Sequence, residues 1–172
     1  MKYLGRLRKA GAVLMIYALS VSTFGQGAVA KADLSGTWAL DKARSEGLPP
    51  GMEQTLTVKH TGDRVEVEAK ISGPQGEQTV SDGYILDGQP KDFEPALVGG
   101  GKGKGKRTST WAADGGGFDA SEEATLQGPD GEETVKATRR WRLSPDGKTL
   151  TIEMSFEGPG GGGKSKRVFT KK

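Results

Sequence analysis

The 172-residue chain has no cysteine, a single histidine and only 6% aromatic residues. Without cysteine there is neither a disulfide framework nor a thiolate metal site. One imidazole, His60, cannot build a two-histidine metal centre. The serines sit in no strand–turn–helix elbow and have no histidine pair near them. Glu122-Glu123 and Glu132-Glu133 are neighbours on predicted strands, so each pair points to opposite faces and is not a facing pair of catalytic carboxylates. The residues therefore offer no nucleophile–base set, and the expectation is no enzyme, no cofactor and no metal. A helical apolar stripe is also missing everywhere after the first thirty residues.

Those thirty residues read as a signal peptide rather than as part of a fold. Lys2, Arg6, Arg8 and Lys9 form a basic start. An apolar run of about fifteen residues, Ala10 to Phe24, follows without an acid, shorter than the ~20 residues a spanning helix needs. Ala28-Val29-Ala30 supplies the small-x-small pattern of a cleavage site, and Ala30-Lys31-Ala32 repeats it. An uncleaved anchor is the rival reading. The expectation is an exported protein, periplasmic or extracellular, with no stable membrane anchor. Its single domain spans 33–172. The whole chain carries a formal charge of +3. Losing the leader leaves 21 bases against 22 acids, so a nucleic-acid partner is not expected.

What the rest of the chain has is a period of two. Leu150, Ile152, Met154 and Phe156 alternate with Thr149, Thr151, Glu153 and Ser155, the pattern of a half-buried strand. Val65, Val67, Ala69 and Ile71 repeat it. Glycine and proline punctuate the runs at Thr61-Gly62-Asp63, Gly73-Pro74-Gln75-Gly76, Gly128-Pro129-Asp130-Gly131 and Ser144-Pro145-Asp146-Gly147, each a turn with a steric reason. Strands are expected near 34–41, 53–60, 64–72, 77–87, 107–113, 118–126, 132–143, 148–157 and 165–170, with a short one near 91–93. The segment Ile71 to Val80 recurs as Leu126 to Val135, one good hairpin turn used twice or a duplicated hairpin. Short turns between alternating strands predict an all-β, antiparallel up-and-down meander of nine or ten strands. Closing it into a barrel would remove exposed edges; a bent open sheet or a β-sandwich are the alternatives.

Gly36-Thr37-Trp38 on the first strand and Trp141-Arg-Leu-Ser-Pro-Asp-Gly-Lys-Thr-Leu-Thr-Ile-Glu153 late in the chain together resemble lipocalin-like secreted bacterial proteins. The resemblance implies a β-barrel and, loosely, ligand binding, but no particular activity. It also implies that Trp38 plugs the closed end under a basic side chain from a late strand, with Arg140, Arg142 and Arg167 as candidates. The chain lacks the disulfide and the middle signature motif of true lipocalins.

Alternation places several polar residues on the inward parity: Asp82 beside Tyr84, Glu122 between Ala120 and Ala124, and Arg139 between Ala137 and Trp141. Buried charges are costly unless paired, so these point to partners or to a ligand, unless a one-residue slip turns them outward. The leading expectation is a non-catalytic monomer that binds a small, partly apolar and anionic molecule in the barrel, lined by Tyr84, Trp111, Glu122 and Arg139, with Arg139 on the anion. The runner-up is a cell-envelope interaction module using the Gly/Lys segment at 99–107, read as a flexible loop in which Lys102, Lys104, Lys106 and Arg107 contact anions.

Overall fold

The computed structural model describes residues 29–74, 76–95, 103–128 and 131–172. The expected leader therefore lies almost wholly outside the described residues. The ten strands are β1 Gly36–Leu40, β2 Glu53–Thr61, β3 Arg64–Gly73, β4 Gly76–Ile85, β5 Lys91–Phe93, β6 Gly103–Trp111, β7 Gly117–Gly128, β8 Gly131–Leu143, β9 Thr149–Gly158 and β10 Gly161–Lys171. A short 3-10 turn, Lys42–Arg44, follows β1. All ten belong to one antiparallel sheet in the order β4-β3-β2-β1-β10-β9-β8-β7-β6-β5. First and last strands pair in the middle of that order, and the two ends curl toward each other. The result is a nearly closed barrel around one core, not a sandwich.

The two ends of the barrel differ. Three Gly-Pro-x-Gly turns stand at one end, joining β3 to β4, β7 to β8 and β9 to β10. Their bracketing glycines face each other across the ladder as Gly73↔Gly76, Gly128↔Gly131 and Gly158↔Gly161. The last glycine of each has a φ of +101°, +124° or +108°, which favours glycine. Side chains near these turns, including Ile71, Val80, Leu126, Val135 and Met154, are only half-buried, and Phe156 is 43% exposed. This end is the mouth.

The other end is solid. Leu34, Trp38, Val65, Phe118, Leu150 and Phe169 are fully buried there. Phe118 stacks on Trp141 at 5.2 Å, and Tyr84 packs against both rings. Each large apolar side chain buried in this plug contributes ~1.5–3 kcal/mol. The Trp38 indole N–H donates to the Leu34 carbonyl. The cation over its ring is Lys171, 5.2 Å from the centroid, not one of the three expected arginines. Arg140 points outward and is exposed. Arg142 is held by Asp119 and by the carbonyls of Phe118 and Trp141. Arg167 faces the interior.

One segment departs from expectation. Gly103 to Arg107 is the first half of β6, not a flexible loop. Its Gly/Lys alternation is the period of a strand whose inward residues have no side chain. A Cβ on Gly105 would meet the Glu123 carbonyl at 2.5 Å and the Phe93 ring at 2.7 Å. Glycine is required because β5 lays Phe93 across the inner face. β10 likewise begins four residues earlier than expected, at Gly161, where the Phe156 ring occupies the space beside Gly163.

Candidate functional site

Alternation along six strands directs one set of side chains into a cavity of about 210 Å3 on the mouth side of the plug. β2, β3 and β4 contribute Gln54, Leu56, Val67, Ala69, Ile71, Val80, Asp82 and Tyr84. β8, β9 and β10 contribute Arg139, Trp141, Ile152, Met154, Ser165, Arg167 and Phe169. Most of the wall is apolar, with Gln54, Asp82, Tyr84, Arg139, Ser165 and Arg167 as its polar groups.

Two acids and two of the three interior arginines neutralise one another. Glu122 Oε1 accepts from Arg107 Nε and Arg139 Nε, both at 2.9 Å. Arg107 also forks onto Asp82 at 2.7 and 3.0 Å and donates to the Gly83 carbonyl at 2.6 Å. Its guanidinium lies between the rings of Tyr84 and Phe93, 4.2 and 4.1 Å from their centroids. The Tyr84 hydroxyl donates to Asp82 at 3.0 Å. Burial pushes the Tyr84 phenol above its ordinary value, so it stays a donor. Burial works against the charge of Arg139, but the acidic groups around it, Glu122 among them, more than offset it, and its pKa is raised.

Arg167 is different. Its one side-chain hydrogen bond is from Nη1 to Gln54 Oε1 at 3.0 Å. It makes no ion pair among the described residues, and its buried Nε has no partner. Burial, with Arg139 alongside, lowers its pKa. Two further buried groups on the same wall lack partners, the Ser165 hydroxyl and the Trp141 indole N–H. Buried donors are normally satisfied. Here three stand around one cavity that has one cation in excess.

Of the residues expected to line a ligand site, Tyr84 and Arg139 line this cavity. Glu122 is inward and buried but stands behind Arg139, outside the cavity wall. Trp111 is elsewhere, because it ends β6 at the closed end. Its indole donates to Asp63 at 2.8 Å, His60 packs on it at 5.2 Å and the Lys31 ammonium sits over it at 4.8 Å. His60 has both ring nitrogens engaged, accepting from the Leu34 N–H at 3.3 Å and bonding the Gly62 carbonyl at 3.1 Å, so it is structural.

Among the described residues, the expected anion-contacting loop is strand from Gly103 onward. Lys102 lies outside the described residues. Lys104 and Lys106 project from the outer face of β6, and Lys106 is paired with Asp92 at 2.8 Å. Arg107 has the opposite parity and is only 3% exposed. Sequence reasoning missed Arg107, Gln54, Ser165 and Arg167 as interior residues. The available signal was parity: Arg107 shares a face with Trp111, and Ser165 and Arg167 share one with Phe169. Among the described residues no cluster of acids and histidine is placed to hold a metal, and no helix is long and apolar enough to cross a membrane.

No family model matches the chain, and no curated protein matches it significantly. Among solved structures it is similar to a zebrafish ileal bile acid-binding protein complexed with cholic acid, at 19% identity and a TM-score of 0.48, covering 81% of this chain and 98% of that one. It is also similar to secretory abundant heat soluble protein 4 from Ramazzottius varieornatus, at 15% identity and a TM-score of 0.43, covering 81% and 94%.

Proposed function

We propose that the protein is an exported, non-catalytic, monomeric binder of a small amphipathic anion. The guest's charged end meets Arg167, Ser165 and Trp141 on the cavity wall, and its apolar end points toward the mouth. The observation that carries this reading is the excess cation. Arg107 and Arg139 are matched by Asp82 and Glu122, whereas Arg167 has only the neutral Gln54 amide, and its Nε and two neighbouring donors have no acceptor. An oxyanion supplies charge and acceptors together, and charge-assisted hydrogen bonds are the strong ones. The cavity, about 210 Å3, is smaller than the ~300–1,000 Å3 of drug-sized sites. The guest is therefore small or leaves part of its apolar end in the mouth. With no nucleophile–base set on the wall, binding rather than turnover is the fitting chemistry.

Native mass spectrometry of the protein purified from cells tests whether it carries a guest. Calorimetric titration with octanoate and with octanol tests the charge. Octanoate should bind about tenfold more tightly or better, the worth of one charge-assisted hydrogen bond, and Arg167→Leu should abolish that preference. Equal binding of acid and alcohol by the unaltered protein would reject the anion site; binding of neither, with no carried guest, would reject the whole reading.

A further inference from the structure

Among the described residues, the barrel wall has one break. β4 and β5 end the sheet order, and no backbone ladder joins β4 to β5 or β6. Toward the closed end the gap is stitched by backbone. The Gly88 N–H donates to the Ser109 carbonyl at 2.9 Å, and Asp87 bridges to Thr110. Beyond that stitch, the side-chain hydrogen bonds that span the gap among the described residues all come from Arg107, to Asp82 and the Gly83 carbonyl.

Two cavities meet at this point. The interior cavity reaches Asp82 and Tyr84 from inside. A second cavity of about 180 Å3 runs along the seam, bounded by Tyr84, Phe93, Arg107 and Ser109. The Ser109 hydroxyl is buried there without a partner, in a residue only 1% exposed. Tyr84 lines both spaces, and the Arg107–Asp82 pair stands between them.

We propose that this seam is a side door to the interior cavity, latched by Arg107 on Asp82, and that the guest passes through it rather than over the mouth. The guest's part in this rests on the binding function proposed above; the latch does not. Opening breaks no strand ladder. It also strands neither charge, which is the usual penalty for separating a buried pair. Arg107 stays bonded to Glu122 through Nε. Asp82 keeps the Tyr84 hydroxyl and the Gly83 N–H, the latter at 2.9 Å. Every other pair of neighbouring strands would have to give up a run of backbone hydrogen bonds.

A latch controls rates, while a binding residue controls affinity. The test is stopped-flow binding of 1-anilinonaphthalene-8-sulfonate, a small amphipathic anion that fluoresces in apolar surroundings. Arg107→Lys keeps the charge but loses the fork. Association and dissociation should each quicken about fivefold or more, with Kd held within about twofold. Phe93→Ala, which frees one face of the guanidinium, should act in the same direction and serves if the lysine variant does not fold. Phe156→Ala at the mouth should leave both rates unchanged. Unchanged rates in the two seam variants, or rates that respond to Phe156 instead, would overturn the side door. If the probe does not bind the unaltered protein, the latch is judged by amide exchange across Gly76–Ile85, and the binding function by the octanoate titration. About tenfold faster exchange in Arg107→Lys supports the latch, and equal exchange ends it.

Discussion

Glu122 shows how much one buried residue decides. A single carboxylate oxygen holds two arginines, one on the cavity wall and one at the seam. Taking its charge away leaves both cations facing each other with only Asp82 to balance them. Removing one partner from a buried ion cluster costs ~3–5 kcal/mol. Glu122→Gln should therefore lower the unfolding free energy by about 3 kcal/mol in urea titration. An unaltered midpoint would mean that the cluster is hydrated and contributes little. The same logic marks Arg167 as unusual: its cost of burial is met by one neutral amide, so its charge is the one left to recognise a guest.

At the scale of elements, the segment before β1 is a strap across the closed end. Lys31 Nζ pairs with Asp63 at 2.7 Å, and the Ala32 N–H donates to the Gly115 carbonyl at 2.9 Å. Leu34 is fully buried beneath it. The strap packs so closely that a Cβ on Gly115 would lie 2.5 Å from the Ala30 carbonyl. A chain beginning at Lys31 keeps the Lys31–Asp63 and Ala32–Gly115 contacts, and one beginning at Asp33 loses both. The Lys31–Asp63 pair is half exposed and worth little; the backbone hydrogen bond is worth ~1 kcal/mol. Deleting Lys31 and Ala32 should cost about 1 kcal/mol in thermal unfolding, and a loss above ~3 kcal/mol would show that the strap also holds the plug in place.

The whole molecule should respond to acid through its turns. Asp63, hydrogen-bonded by Lys31 and Trp111, has its pKa lowered from 3.8. Asp87 is lowered by Lys91, Asp92 by Lys106, Asp146 by the Ser144 hydroxyl and Asp41 by Arg44. A carboxyl whose folded value lies below its unfolded one stabilises the fold above the unfolded value. That contribution is lost as pH falls through the folded value. The melting temperature should be level from neutrality to about pH 5 and fall below about pH 4 as these groups protonate. Asp63→Asn should flatten part of that fall. A decline already complete at pH 5 would place the acid response in other groups.

The strand count, the turns and the one-sided core were legible because side-chain alternation and Gly/Pro chemistry are local. Leu150, Ile152 and Met154 announce a strand whatever surrounds them, and the short β5 at Lys91–Phe93 was readable on the same grounds. The inward parity of Asp82, Glu122 and Arg139 was readable too. Gly103 to Arg107 was misread because glycine marks a flexible loop in isolation and a crowded inner face beneath Phe93; only the fold tells these apart. Trp111 had the right parity but the wrong depth, since alternation gives the face of a residue and not its height in the barrel. Pairing is likewise a property of distant strands: Arg107 reaches Asp82 across 25 positions and Arg167 reaches Gln54 across 113. Sequence alone thus determined the alternation along each strand. The tertiary structure decided which inward charges cancel and which one remains, because that depends on strands brought together only when the sheet curls.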